Sequence, residues 1–194
     1  ATRLSVISKS PMAYPEGYCY GNIGGFVGAE IKRAGFDGIV IEGRASKPVY
    51  LWVHDSEAEI RDASLLWGQG AYRTGEMLQQ AHGSQVSFIT TGVAGERLVR
   101  TAVIFASHQS TSCAGFGAVM GSKRLKAIAV RGSQAVPVAR PEKLMSLSNA
   151  INRELRRAFP EGVSPGDLAL ARRYAARQRA CTQACPMSCG TVYG

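Results

Sequence analysis

Three cysteines near the end of the chain have the residue type and spacing of metal ligands. Cys181, Cys185 and Cys189 are each separated by three residues, and Pro186 and Gly190 accompany them. Thiolates bind zinc, copper and iron–sulfur clusters. A tetrahedral zinc site needs a fourth Cys or His, and none follows in the five remaining residues. An iron–sulfur cluster whose fourth cysteine lies elsewhere explains the triplet better.

The same spacing has a structural alternative. Residues four apart share one face of a helix, so the three thiols could simply be buried side by side. Pro186 disfavours one continuous helix and therefore favours the metal interpretation. Cys19 and Cys113 stand alone, and an odd number of cysteines without a signal-peptide pattern argues against a disulfide scaffold. A cytoplasmic, reducing setting is expected.

Other familiar catalytic patterns do not fit. Gly115–Gly121 resembles a dinucleotide fingerprint, but its third glycine is one residue late and the expected acidic residue is missing. The three histidines are isolated, so no nucleophile–base pair can be proposed. His54 and His82 are expected to be ordinary surface residues. His108 precedes a Gly-rich turn and is a candidate to face a site.

The chain contains an internal repeat. Gly28–Val49 aligns with Gly117–Val138 at a constant offset of 89 residues and without gaps. Repetition at a fixed offset indicates duplication of a structural unit. The identical pairs are Gly28/Gly117, Ala29/Ala118, Ile39/Ile128, Gly43/Gly132, Pro48/Pro137 and Val49/Val138.

Each copy of the repeat follows the same order. A Gly-rich turn opens a short helix, an apolar pair ends the helix, and a strand of Ile and Val follows. Backbone N–H groups at such helix starts favour anionic ligands. Two copies predict a pseudo-twofold arrangement in which two turns face one shared site.

The surrounding pattern predicts an α+β fold. Residues 1–138 form a duplicated β-rich domain, and residues 139–194 begin a helical domain that carries the cysteines. Helices are predicted over Ala71–His82, Glu142–Phe159 and Asp167–Ala180. Strands are predicted over Leu4–Ser8, Gly38–Glu42, Val49–His54, Glu59–Asp62, Val86–Thr90, Thr101–Phe105 and Ala127–Arg131.

Composition narrows the possible partners. The 194 residues carry a net charge of +9, which favours an anionic partner. No aromatic stacking platform accompanies the basic residues, so nucleic acid is not expected. There is no apolar run of membrane-spanning length, and the first residues resemble a strand rather than a signal peptide.

Taken together, the motifs resemble the aldehyde:ferredoxin oxidoreductase family of tungsten pterin enzymes. The resemblance runs from about Arg3 to Gly190 and covers the N-terminal domain and the start of the cluster-binding domain. The segments that carry it are Gly24–Lys32, Ala34–Asp37, Ile41–Ala45, Pro48–Tyr50, Glu59–Ala63 with Trp67-Gly68, Ala94–Glu96, Gly117–Lys123, Leu125–Ala127 and Cys185–Gly190.

The resemblance implies a tungsten (or molybdenum) ion held by two pyranopterins on a duplicated domain. Arg3 would contact a pterin phosphate, and Asn22, Gly24 and Gly25 would line one pterin site. Ser110 and Gly115 would serve the other site. A Mg²⁺ ion would bridge the two phosphates through main-chain carbonyls near Asn22 and Ser110.

The cysteines would supply electron transfer. By resemblance, Cys181, Cys185 and Cys189 are three of the four ligands of a [4Fe-4S] cluster. Implied partners are ferredoxin or another electron-transfer subunit and the remaining catalytic part of the enzyme, and an oligomer is expected. The catalytic residues are unknown, because the family's acid/base residues lie outside this chain.

Some residues depart from the family pattern. Gln109–Ala114 lacks the arginines usual in the second Gly-rich segment, and three residues rather than two separate Cys181 from Cys185. Three functions therefore stay open: an aldehyde oxidoreductase, a subunit of an aromatic acyl-CoA reductase of the same superfamily, and a non-catalytic iron–sulfur electron-transfer or scaffold subunit.

Overall fold

The computed structural model describes residues 3–107 and 110–158, together with the backbone of residues 175–179 and 190–193. The chain divides into two compact units, Ala1–Val136 and Pro137–Gly194. The first unit contains most of the described residues and all of the described candidate-site residues.

The first unit begins with a two-stranded hairpin. Strand β1 (Leu4–Lys9) pairs antiparallel with β2 (Tyr18–Ile23), and Leu4 lies opposite Ile23. Residues along both strands alternate between exposed and partly buried, which is the two-residue period of a sheet with one covered face. Helix α1 (Val27–Arg33) follows after a short turn.

A six-stranded mixed sheet is the centre of this unit. Its strands lie in the order β4-β3-β8-β5-β6-β7, in which β3 and β8 are parallel and the other neighbours are antiparallel. Their bounds are β3 Val49–His54, β4 Glu57–Asp62, β5 Ser87–Thr91, β6 Ile104–Ala106, β7 Ser110–Ser112 and β8 Leu125–Arg131.

Both faces of the sheet are covered. Helix α2 (Ala71–His82) packs on one face, where Leu78 joins Trp52, Phe88 and Ala129 in an apolar cluster. Helix α1, the hairpin and α4 (Phe116–Ser122) contribute to a second cluster with Val53, Ile89 and Val130. Helix α3 (Val93–Glu96) packs beside α4. Neighbouring residues of a strand thus serve opposite faces.

The second unit contains helix α5 (Pro141–Ala158), close to its predicted bounds. Its apolar stripe is not buried among the described residues: Leu144, Leu147 and Ile151 are exposed. Strands β9 (Ala175–Arg179) and β10 (Gly190–Tyr193) form an antiparallel pair. The predicted helix Asp167–Ala180 is therefore wrong over Ala175–Arg179, where the backbone is extended and paired.

One predicted strand in the first unit does not form, and the predicted strand Thr101–Phe105 is a strand only from Ile104 onward. Gly38–Glu42 forms no strand. Ile39 and Ile41 pack against the core while Val40 is 86% exposed, so burial alternates as it does in a strand. Both sides of β3, the nearest strand in sequence, already have partners in β4 and β8. The alternation gives the side-chain directions correctly, but backbone pairing is missing.

The mixed α+β class is confirmed. Helix α2 and strand β3 have their predicted bounds, and Gly83 ends α2 with φ 91. No helix in the described part of the chain is long and apolar enough to span a membrane.

Candidate cofactor site

Two predicted site residues, one before each copy of the repeat, meet directly. The backbone N–H of Gly24, just after β2, donates a hydrogen bond of 2.7 Å to Oγ of Ser110, the first residue of β7. The residues are 86 positions apart in sequence. The structure therefore joins the first Gly-rich turn to the segment before the second.

Gly25 is required by the turn itself. Its φ is 85, in the left-handed region that glycine adopts without strain. A Cβ atom at this position would lie 2.7 Å from the carbonyl oxygen of Ser107. Conformation and space both select glycine here, so the turn can bring the backbone of Gly24 close to Ser110.

Exposed polar residues lie at the open end of the hairpin, which leads into this turn. Arg3 directly precedes Leu4, the partner of Ile23, and is exposed. Asn22 is exposed too, and its Oδ1 accepts a hydrogen bond of 3.2 Å from the hydroxyl of Ser5. The strand ends next to Gly24 therefore carry an arginine, an asparagine and a serine, and no carboxylate.

Sequence reasoning missed Ser5. The signal was available in the pairing register, since the alternation of β1 and β2 puts Ser5 opposite Asn22 on the exposed face. Register could not be fixed before the length of the connecting loop was known.

The second Gly-rich turn is closed by protein packing. Gly115 has φ 76, and a Cβ there would lie 2.5 Å from the carbonyl oxygen of Arg100 and 2.6 Å from Cγ of Pro11. The N–H of Gly117 donates to the carbonyl of Ala102 at 2.9 Å. The expectation that this helix start offers free N–H groups is therefore wrong at Gly117. A cofactor contact by Gly115 stays a prediction.

The two copies share local geometry. Helices α1 and α4 have bounds that differ by the repeat offset, and the left-handed Gly25 aligns with Ala114, whose φ is 66. A strand follows directly only in the second copy, as β8. The pseudo-twofold arrangement of two pterin sites stays a prediction.

The other predicted residues divide between described and undescribed segments. Cys181, Cys185, Cys189 and His108 lie outside the described residues. His54 and His82 are not ordinary surface residues. His82 stacks on Trp52 with ring centroids 3.8 Å apart, and the pKa of His82 is lowered chiefly by burial. His54 lies beside two carboxylates.

Comparison with known proteins agrees with the resemblance. Residues 1–132 match the family described as aldehyde ferredoxin oxidoreductase, N-terminal domain. A tungsten-containing aldehyde ferredoxin oxidoreductase of Pyrococcus furiosus is 37% identical, over 98% of this chain and 37% of its own. Its counterpart in Thermococcus kodakarensis is 47% identical, over 74% of this chain and 24% of its own.

A solved structure is similar over the whole chain. The active-site complex BamBC of benzoyl coenzyme A reductase, in complex with 1,5 dienoyl-CoA, superposes with a TM-score of 0.87 and 27% identity, over 100% of this chain and 36% of that one. The chain thus spans well under half the length of these relatives. Because the family match covers more than half of its residues, the chain belongs to the aldehyde ferredoxin oxidoreductase family.

Proposed function

We propose that this chain is the pterin- and cluster-binding part of a tungsten-dependent oxidoreductase that oxidises aldehydes to carboxylic acids. The observation that carries the proposal is the hydrogen bond between Gly24 and Ser110, next to the hairpin end at which Arg3 and Asn22 are exposed. In the overall reaction, aldehyde and water give carboxylic acid, two protons and two electrons. Ferredoxin would accept the electrons, and the cluster, when bound, would supply the electron-transfer chemistry.

The residues around the Gly24–Ser110 hydrogen bond fit the anionic end of a pterin. Arg3 would form charge-assisted hydrogen bonds to a phosphate, since a guanidinium presents several N–H donors in a fixed plane. Asn22, Gly24 and Gly25 would line the first pterin, and Ser110 and Gly115 the second. The hydroxyl of Ser110 accepts from Gly24 and keeps its own proton to donate.

Main-chain carbonyls near Asn22 and Ser110 would hold the bridging Mg²⁺, a cation that prefers oxygen ligands. When bound, the tungsten–pterin group supplies the two-electron chemistry. The protein's part at this site is to bind the phosphates, set the separation of the two turns and keep the hairpin end polar.

The cysteine segment is proposed to hold the [4Fe-4S] cluster. Cys181, Cys185 and Cys189 would provide three thiolates, and a fourth would come from beyond this chain. The pairing of Arg179 with Gly190 in β9 and β10 supports this proposal, because it brings the two ends of the cysteine-bearing segment together.

The partners and setting are proposed by the same reasoning. The remaining catalytic part of the enzyme and ferredoxin, or another electron-transfer subunit, would complete an oligomeric, cytoplasmic enzyme. A 36% identical relative named as the WOR-like subunit of an aliphatic sulfonate oxidoreductase supports an assembly of subunits.

Two alternatives have specific support. The likeness to a benzoyl coenzyme A reductase complex favours a subunit of an aromatic acyl-CoA reductase. The packing of Pro11 and Arg100 over Gly115 favours a scaffold that keeps the cluster and has lost the pterins.

Metal and pterin analysis of the complete enzyme separates these functions. One tungsten, two pterins and four iron atoms support an oxidoreductase, and aldehyde against acyl-CoA turnover then distinguishes its two forms. Iron without pterin supports the scaffold. Absence of iron, tungsten and pterin contradicts both cofactor assignments.

Two variants test the site itself. Arg3→Gln should weaken pterin retention about tenfold or more, because a hydrogen bond to a charged group contributes about 1.5–3 kcal/mol. Arg73→Gln is the control, since Arg73 forms only an exposed pair with Glu76. Equal pterin content in the two variants would show that Arg3 does not contribute to pterin binding.

A further inference from the structure

The hairpin formed by β3 and β4 carries a group of potential metal ligands. Its two-residue turn, Asp55-Ser56, has φ values of 35 and 74, which are the left-handed values of a tight hairpin turn. This turn pairs His54 with Glu57. Glu59, two residues further along β4, therefore shares a face of the hairpin with both.

The three side chains converge on one point. Nε2 of His54 lies 3.5 Å from Oε2 of Glu57 and 3.3 Å from Oε1 of Glu59, and all three atoms lie within 4.8 Å of one another. Zinc bonds of about 2.0–2.2 Å at tetrahedral angles put neighbouring ligand atoms about 3.4 Å apart. The group is thus already close to the spacing that an ion requires.

Neighbouring side chains hold two of the three ligands in place. The guanidinium of Arg61 binds Oε2 of Glu59 at 2.8 and 2.9 Å, which leaves Oε1 directed at His54. The ring of Trp52 lies 5.3 Å from the ring of His54. Supporting contacts of this kind orient the ligands of metal sites.

The group is open to solvent. The side chains of His54, Glu57 and Glu59 are 30%, 69% and 43% exposed, so an ion can enter and water can complete its coordination. An imidazole with two carboxylates favours zinc and similar transition metals over Mg²⁺ and Ca²⁺, which prefer oxygen ligands throughout.

We propose that His54, Glu57 and Glu59 form a binding site for a divalent transition metal of the zinc class. The site lies on the β3–β4 hairpin, and its ligands are not among the residues assigned to the pterins or the cluster. The proposal therefore does not depend on the proposed function.

Zinc titration against a chromophoric chelator tests the site in the full chain. Because cysteine thiolates are themselves zinc ligands, the measured quantity is the difference between wild type and variants. His54→Gln and Glu57→Gln should each lower the affinity for one equivalent of zinc at least tenfold. Glu76→Gln, which changes another exposed carboxylate, should leave all zinc equivalents unchanged. Circular dichroism melting of each variant checks that the fold is retained.

A second measurement reports on position. In a Trp67→Phe background Trp52 is the remaining tryptophan, and Co²⁺ bound beside His54 should quench its fluorescence. His54→Gln should abolish that quenching. Zinc affinity of His54→Gln within twofold of wild type, or a Trp52 signal that Co²⁺ does not quench, would overturn the proposal.

Discussion

The two Gly-rich turns precede the two copies of the repeat at equivalent positions, but different side chains flank them. The turn before α1 follows a hairpin with one exposed face, and exposed Arg3 and Asn22 lie at the end of that hairpin. The turn before α4 is enclosed by Pro11 and Arg100. Gly25 and Gly115 are both buried and closely packed, so the two copies differ in the side chains that flank the turns and not in the accessibility of the turns themselves. We therefore predict that the first copy binds an anion more strongly than the second.

Charged residues at equivalent positions differ in the same way. Asp37 of the first copy aligns with Lys126 of the second. Asp37 forms an exposed ion pair with Lys32, whereas Lys126 is fully buried and pairs with buried Glu96. At this position the second copy has a buried ion pair and the first copy an exposed one, so the pair in the second copy is expected to contribute more to the stability of the fold.

Removing the buried charge should have the largest effect. Lys126→Met leaves the carboxylate of Glu96 buried without its cation, which should lower the free energy of unfolding by about 3–5 kcal/mol. Asp37→Asn, at the equivalent position, should leave denaturant unfolding unchanged because its partner is exposed. Similar losses in the two variants would contradict the difference between the copies.

A pair of glycine substitutions tests the packing of the two helices. A Cβ at Gly117 would lie 2.5 Å from the carbonyl oxygen of Val103, so Gly117→Ala should cost about 1–3 kcal/mol. At the equivalent Gly28 the nearest atom, Cβ of Leu4, is 3.4 Å away. Gly28→Ala should therefore be neutral or stabilise by up to about 1 kcal/mol. Denaturant midpoints compare the two variants. A loss of stability in Gly28→Ala but not in Gly117→Ala would contradict the prediction that Gly117 is the more closely packed position.

Substitutions at the two aligned left-handed positions, Gly25 and Ala114, should change the stability of the fold in opposite directions. Ala114 has φ 66, a conformation that costs a residue with Cβ about 1–2 kcal/mol, so Ala114→Gly should stabilise by about 1 kcal/mol or less. Gly25→Ala adds that strain together with the contact to Ser107, and should destabilise. Thermal melting measures both changes, and destabilisation by Ala114→Gly would show that its methyl group has a packing role.

The sequence predicted elements where local signals and burial agree. The bounds of α2 follow from its apolar positions and from Gly83, and β3 is a β-branched and aromatic run between Pro48 and the turn at Asp55. Gly38–Glu42 failed because alternation reports side-chain direction and not backbone pairing. Asp167–Ala180 failed over Ala175–Arg179 because alanine and arginine favour helices locally, while pairing with β10 depends on residues distant in sequence.

For the candidate site, the sequence identified individual residues but not the contacts between them. The family resemblance named Gly24, Gly25 and Ser110 as candidate site residues before the structure was known. Their contact across 86 residues, and the closure of Gly115 by Pro11 and Arg100, depend on tertiary packing that no local pattern encodes. The cluster at His54 was missed because its carboxylates follow a turn whose register determines which face they share.

The smallest expected effect concerns the exposed carboxylate of the first copy. Hydrogen bonding to Lys32, and then its charge, holds the pKa of Asp37 below the ordinary aspartate value. A lowered pKa means that the pair stabilises the fold above the ordinary aspartate pKa and loses this contribution as pH falls through the lower, folded-state pKa. Lys32→Gln should return the pKa of Asp37 to its ordinary range in a carbon-detected NMR titration, while Arg33→Gln should not. Because Asp37 is exposed, salt should reduce the shift, and a shift that persists at high salt would show that this carboxylate is not a solvent-screened surface group.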